Sequence, residues 1–198
     1  MKPSGDAKSA YIAVATRRFA MDGFHGTSLS NLAKDAGVSK QALLHFFKTK
    51  EALYAATLTA LAERMMQDLI ACRHADPAHW LSDYFKTLYQ NAYADPTDMR
   101  LVVHALLDSD QNARKWPLRP YLDEVIRITS ATSGGRAKGV SAQLAWVSQM
   151  IGMIQYHIIS VPTVSGMYGA DTATVLQVEM VKRIEHAVHE FCLNGSHY

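Results

Sequence analysis

The chain has 198 residues, of which 48% are hydrophobic and 19% charged, with a formal net charge of +2 at pH 7. This composition allows a sizeable core and excludes a disordered chain. Residues 1–50 hold eight lysines and arginines and three acidic residues, whereas the remainder holds twelve and fifteen. This asymmetry indicates a basic N-terminal quarter, suited to binding a polyanion, followed by an acidic body. A chance scatter of charges is the alternative.

Two cysteines, Cys72 and Cys192, are too few for a disulfide framework or a paired-cysteine zinc site. A reducing compartment is therefore expected. The first eleven residues, MKPSGDAKSAY, contain no long apolar run, so we expect no secretory signal and a cytoplasmic location.

Apolar residues recur with helical spacing along almost the whole chain, and strand-like alternation is absent. We predict an all-α fold of about nine helices, with an N-terminal domain over residues 1–50 and a C-terminal domain over residues 51–198. The expected helices cover about residues 6–22, 29–36, 40–47, 51–71, 78–93, 97–108, 120–133, 140–161 and 172–193. The stretch SATSGGRAKG (130–139) is expected as a loop or a helix end, and Pro162 is expected to close the helix before it.

The stretch AGVSKQALLHFF, residues 36–47, ends one short helix and starts another at once. Gly37 suits the sharp turn, because a left-handed backbone costs little only for glycine, and Ser39 can cap the second helix. Ala33 is small where the two helices must cross closely. Two helices joined by a short turn that contains glycine form a helix-turn-helix, whose second helix lies in the major groove of DNA.

Polar side chains lead this second helix. Lys40 suits guanine acceptors or phosphate, Gln41 can pair with adenine, and His45 lies one turn further along. Thr27 and Ser28 begin the preceding helix and are expected to hold the DNA backbone, because helix N-termini attract phosphate. An ordinary helical hairpin within a bundle is the alternative.

The run GFHGTSLSNLAKDAGVSKQALLHFFKTKEALYAATL, residues 23–58, resembles the DNA-binding domain of the TetR family of bacterial transcriptional regulators. The positions that carry the resemblance are Gly23, Phe24, Thr27, Ser28, Leu32, Ala33, Ala36, Gly37, Val38, Ser39, Phe47, Thr49, Lys50, Glu51 and Leu53. With Ile12, Ala15 and Phe19 in the preceding helix, the resemblance covers about the first sixty residues. The predicted DNA contacts are Thr27, Ser28, Ser39, Lys40, Gln41, His45 and Lys50.

The resemblance implies a homodimer that binds double-stranded operator DNA, most often as a repressor, and responds to a small-molecule effector. We expect no cofactor, no metal and no enzymatic activity. Three departures concern the phosphate contacts: the family often has a hydroxyl or small residue at Ala42, and tyrosines at Leu44 and Phe46. Because hydroxyls at these positions commonly touch phosphate, a helical ligand-binding or interaction protein that no longer reads DNA is the alternative function.

The segment 140–161 is apolar nearly all round. One face carries apolar residues at alternating spacings of four and three: Val140, Leu144, Val147, Ile151, Ile154 and Ile158. The neighbouring face carries small residues: Ser141, Ala145, Ser148 and Gly152. With the last helix, this segment is expected to form a four-helix dimer interface built from Leu144, Ser148, Ile151, Gly152, Val181, Ile184, Val188 and Phe191. A monomeric core is the alternative. The polar residues within the segment and Pro162 argue against a membrane span.

The effector is expected to be mostly apolar and oriented by one or two polar groups, because the C-terminal domain offers few charges for burial. The candidate ligand residues are Trp80, Tyr84, Leu88, His104, Trp116, Tyr121, Trp146, Met150, Met153 and His157. For each of these residues, packing in an ordinary hydrophobic core is the alternative to ligand binding. The operator, the identity of the effector, the regulated genes and the sign of regulation are left open.

Overall fold

The computed structural model describes residues 5–107 and 116–193, with side chains from Ala7 onward. These residues form ten α-helices and no strand, which confirms the predicted all-α class. The helices are α1 Gly5–Gly26, α2 Leu29–Asp35, α3 Lys40–Phe47, α4 Lys50–Ala71, α5 Pro77–Ala94, α6 Thr97–Leu107, α7 Arg119–Ala131, α8 Ser133–Ala137, α9 Val140–Tyr168 and α10 Asp171–Leu193. Asp108, the expected last residue of the helix that starts at Thr97, lies outside the described residues.

Two of the expected helix boundaries were wrong. The glycine-rich stretch after Ala131 forms the short helix α8, because Thr132 caps it: its hydroxyl oxygen accepts a hydrogen bond from the Gly135 N–H at 2.9 Å. Helix α9 continues through Pro162 to Tyr168. A proline inside a helix removes one backbone donor, and here the helix continues on both sides of that gap.

The chain divides into two compact units. The head unit comprises residues 1–64 and 97–118, and the body unit comprises residues 65–96 and 119–198. The predicted functional boundary at residue 50 stays a prediction. Helix α4 runs without a break from Lys50 to Ala71, and α6 packs against α1 within the head unit.

The head unit encloses a small core of its own. Helices α1 and α6 pack together, and α2 packs on α3. The completely or almost completely buried side chains of this core are Phe19, Leu32, Leu43, Leu53, Leu61 and Leu101. Burial of one such side chain contributes about 1.5–3 kcal/mol, so this core holds the short helices α2 and α3 in place.

The body unit is built on contacts among α5, α7, α9 and α10. Its core includes Leu81, Tyr84, Phe85, Val125, Val147, Ile154 and Ile184. None of the helices formed by the described residues is both long and apolar enough to cross a membrane.

Candidate nucleic-acid interface

The turn between α2 and α3 has the geometry of a Schellman motif. Gly37 has φ +66°, its N–H donates to the Lys34 carbonyl at 3.1 Å, and the Val38 N–H donates to the Ala33 carbonyl at 3.0 Å. These two bonds satisfy carbonyls at the end of α2 that would otherwise lack partners. The predicted left-handed glycine is therefore confirmed, and Ala33 is buried as expected beside α3.

Ser39 caps α3 as predicted. Its hydroxyl oxygen accepts a hydrogen bond from the Ala42 N–H at 3.1 Å. Ser28 caps α2 in the same way, with the Asn31 N–H as donor at 3.1 Å. Both serines are exposed, so each helix begins at the surface of the head unit.

Helix α3 has one buried face and one exposed polar face. Leu43 and Phe47 are buried, whereas Lys40, Gln41 and His45 are exposed. The first two exposed residues are the first two residues of the helix, and the third lies one turn later. The amphipathic arrangement leaves the polar tip available to a partner, which is what the sequence predicted.

The Thr27 side chain is used within the head unit. It is buried, and its hydroxyl donates to the Gly23 carbonyl at 2.8 Å. A hydroxyl that is bonded inside the unit is not presented to a phosphate. The Thr27 hydroxyl instead closes the turn that follows α1, and the predicted contact of this residue with the DNA backbone stays a prediction.

Lys50 is also held within the head unit. Its ammonium donates to the Phe24 carbonyl at 2.9 Å and to the Thr27 carbonyl at 3.0 Å, and it lies 4.1 Å from the centre of the Phe24 ring. Two of its three donors are therefore used to tie the start of α4 to the end of α1. Its predicted contact with DNA stays a prediction.

Arg18 forms ion pairs with two acids of the head unit. Its guanidinium donates to the Asp35 carboxylate at 2.7 Å and to the Asp22 carboxylate at 3.1 Å, which raises the pKa of Arg18. Within the described residues, no carboxylate lies within 4 Å of Lys40 or Lys48. The positive charge of these lysines is therefore not cancelled by a local ion pair.

Leu44 and Phe46, the positions at which hydroxyls are missing, are both half-buried. The Phe46 ring meets the Tyr11 ring of α1 edge to face, with 5.1 Å between the ring centres. This aromatic contact packs α3 on α1. Phe46 therefore contributes to the position of α3 and offers no hydrogen bond to phosphate.

The residues predicted to line a ligand site fall into two groups. His104 and Trp116 belong to the head unit, and the other eight belong to the body unit. The His104 ring packs on α1 so closely that a Cβ at Gly23 would lie 3.0 Å from its Nδ1 atom. His104 therefore has a packing role within the head unit.

In the body unit, several predicted ligand residues form polar contacts inside the core. The Tyr84 hydroxyl donates to the Tyr121 hydroxyl at 2.6 Å, and burial raises the pKa of both groups. The Tyr89 hydroxyl lies 3.1 Å from Nε2 of His157, and burial lowers the pKa of this histidine. Trp80, Leu88, Trp146 and Met150 are also buried, and Met153 is half-buried.

The predicted dimer interface is partly exposed. Leu144, Ser148 and Gly152 lie on the open face of α9, and Ile151, Val181 and Phe191 are half-buried. Ile184 and Val188 were placed wrongly, since both are buried in the body unit at 0% and 3% exposure. On α10 the exposed large apolar side chains are Val175, Val178 and Leu193.

The head unit thus defines a class: a helix-turn-helix protein with an exposed, polar second helix. Residues 12–57 match the family model described as bacterial regulatory proteins, tetR family. Over this segment the chain is similar to the DNA-binding domain of TetR-family regulators.

Two curated relatives are also similar to this chain. The HTH-type transcriptional regulator RutR of Escherichia coli K12 is 44% identical over 66 residues, which is 33% of this chain. The alignment spans only about a third of RutR, 31% of its length. The HTH-type transcriptional regulator LmrA of Bacillus subtilis is 28% identical over 126 residues, 62% of this chain and 66% of LmrA.

The fatty acid degradation regulator FadR from Bacillus halodurans has the same fold. It superposes with a TM-score of 0.74 over 94% of this chain and 96% of FadR, at 16% sequence identity. At that identity the match concerns the fold alone.

Proposed function

We propose that this protein is a DNA-binding transcriptional regulator of the TetR type that acts in the cytoplasm as a homodimer. The observation that carries the proposal is the exposed tip of α3, where Lys40 and Gln41 lead a helix whose opposite face is buried. The regulators RutR and LmrA, to which the chain is similar, support the same reading.

In this proposal α3 enters the major groove. Lys40 contacts guanine acceptors or phosphate, Gln41 contacts adenine, and His45 contacts the groove one turn later. The exposed N-termini of α2 and α3, capped by Ser28 and Ser39, face phosphates, because unpaired helix N–H groups attract anions. These contacts fix the register, and the side chains at the tip read the sequence.

Two subunits place their α3 helices in successive major grooves of a near-palindromic operator, about one helical turn apart. The exposed small residues of α9, Ser148 and Gly152, permit the close approach of a second helix. Apolar side chains that are open to solvent beside them, including Leu144 at 46% exposure, would be covered in the dimer.

The finer proposal is a repressor that a small, mostly apolar effector releases from its operator. An effector bound in the body unit would favour a conformer of the dimer whose two α3 helices no longer match the operator spacing. Such coupling is typically about 1–3 kcal/mol. The chain passes between the two units three times, and α4, a continuous helix with residues in both, is the connection through which we propose that the change passes.

The test is a selection of bound fragments from random double-stranded DNA with the full-length protein. The proposal expects a near-palindromic motif whose half-sites lie about one turn of DNA apart. Recovery of no motif from a protein that is folded and dimeric would favour the alternative, a helical ligand-binding protein whose head does not read DNA. The missing hydroxyls at Leu44 and Phe46 are the observation behind that alternative.

A further inference from the structure

An open pocket of about 550 Å³ lies in the body unit, where the end of α4, the start of α5 and the end of α7 meet. Its volume is within the range of small-molecule sites. The residues that line it are Arg73, His74, Ala75, Pro77, Trp80, Arg127, Ile128 and Ala131. Of these, Trp80 alone is among the predicted ligand residues.

Arg73 supplies a positive charge outside any ion pair, and after the Arg127 hydrogen bond this charge contributes to the lowered pKa of Glu124. Within the part of the chain that the structure describes, no carboxylate lies within 4 Å of its guanidinium. The guanidinium carbon lies 5.9 Å from the centre of the Trp80 ring, within the range of a cation–π contact. The indole is held in place, because its N–H donates to the Leu69 carbonyl at 2.6 Å. The Arg73 guanidinium and the flat Trp80 ring therefore lie side by side.

Arg127 on the opposite wall is already paired. Its Nε and one terminal nitrogen donate to the two Glu124 oxygens at 2.7 and 2.6 Å, which lowers the pKa of Glu124. This pair cancels its own charge, so the net charge of Arg73, Arg127 and Glu124 together is +1. A single negative charge is therefore the complement of the pocket, whereas a polyphosphate would exceed it.

His74 adds a hydrogen-bond donor at the rim. Its Nδ1 accepts the Asp76 N–H at 3.1 Å, so the neutral ring carries its proton on Nε2. Among the apolar lining residues, Ala131 is exposed, whereas Ile128 is buried beneath the surface. A ligand here meets cationic, donor and apolar groups together.

We propose that this pocket binds a small organic monoanion, a carboxylate with a flat apolar body. The carboxylate pairs with Arg73, because a guanidinium forms two parallel hydrogen bonds with a carboxylate. The apolar body lies against the accessible edge of Trp80 and against Ala131. The proposal names the chemical class of the effector. That this ligand regulates DNA binding rests on the proposed function, whereas the binding of the ligand to the pocket does not.

The experiment measures binding of aromatic and aliphatic monocarboxylates to the full-length protein by isothermal titration calorimetry. Each acid is paired with its neutral carboxamide, for example 2-naphthoate with 2-naphthamide. At least one acid is expected to bind at least ten times more tightly than its amide. Arg73→Gln is expected to weaken that acid at least tenfold while leaving the amide unchanged.

Arg119→Gln is the matched control. Arg119 is an exposed arginine at the start of α7, 3.6 Å from Asp123, and it does not line the pocket. Its replacement should leave the affinity for the acid unchanged. Equal affinity for acid and amide, no binding by any acid, or equal losses in both variants would overturn the proposal. DNA binding by the ligand-free protein is measured separately, so failure of this site and failure of the proposed function are distinguishable.

Discussion

The Lys50 ammonium donates a hydrogen bond of 2.9 Å to the Phe24 carbonyl, 26 residues earlier in the chain. A second bond of 3.0 Å reaches the Thr27 carbonyl. Lys50 thus secures the end of α1 to the start of α4. Helices α2 and α3 lie between these two points in the sequence. Lys50 therefore links the two ends of the segment that contains the proposed DNA-reading helix.

Replacement of Lys50 by methionine should destabilise the protein. The variant keeps a long apolar stem over Phe24 but loses both charge-assisted bonds, and the expected loss is about 1–3 kcal/mol. Urea unfolding at constant m-value measures it. The salt dependence of DNA binding, measured on the same variant, tests separately whether Lys50 also contacts a phosphate. A shallower salt dependence with unchanged stability would instead make Lys50 a phosphate contact.

Gly23 and Gly37 both have positive φ, but they differ in what surrounds them. Gly23 has φ 67° and ψ 178°, a conformation that is almost confined to glycine, and an added Cβ would lie 3.0 Å from His104. Around Gly37 a Cβ would meet nothing within 4 Å. We expect Gly23→Ala to cost about 3 kcal/mol and Gly37→Ala about 1 kcal/mol. Denaturation midpoints of the two variants test this order, and equal costs would contradict it.

Helix α3 ends in a strained turn at Lys48. This residue has φ 64° and ψ −49°, and the Thr49 N–H donates to the Phe47 carbonyl at 2.7 Å across it. That is a γ-turn with positive φ, which is rare for residues other than glycine. Lys48→Gly is expected to raise the free energy of unfolding by about 1 kcal/mol.

Lys34→Gly is the control for this effect. Lys34 is an exposed lysine inside α2, and glycine there should lower the free energy of unfolding by about 0.5–1 kcal/mol. Thermal or urea unfolding of both variants gives the comparison. A loss of stability in both would show that the backbone at Lys48 carries no strain.

If the dimer forms through α9, a large charged side chain on the exposed face of this helix should disrupt it. Ser148→Arg places a long charged side chain on the exposed face of α9 and should convert a dimer into monomers of 21.9 kDa. Gln90→Arg introduces the same residue at an exposed position of α5 and should leave the dimer intact. Light scattering coupled to size-exclusion chromatography separates the two results. A dimer that survives Ser148→Arg would move the interface elsewhere.

Local sequence signals predicted the head unit well. Gly37, Ser39 and Ala33 lie within one short stretch, and turn chemistry, capping and side-chain size act there over a few residues. Thr27 and Lys50 were harder, because their partners are backbone carbonyls. Residue spacing shows which side chains share a helix face, but it does not show which carbonyls a fold brings within reach.

In the body unit, neither the exposed face of α9 nor the pocket could be predicted from the sequence. Helix α9 is apolar nearly all round, so its spacing could not separate the face toward its own core, with Val147 and Ile154, from the face toward solvent, with Leu144. Likewise Arg73 and Arg127 are 54 residues apart and belong to different elements. Only the packing of the helices brings them into one pocket.

The most direct test of the central claim is the effect of the α3 tip on DNA binding. The operator from the DNA selection is titrated with the wild-type protein, Lys40→Ala and Gln41→Ala, by fluorescence anisotropy at several salt concentrations. Lys182→Ala, an exposed lysine on α10, is the control. Both tip variants should bind at least about tenfold more weakly, and Lys40→Ala should reduce the salt slope by up to about one. Unchanged affinity and slope in both tip variants would contradict a DNA-reading role for α3.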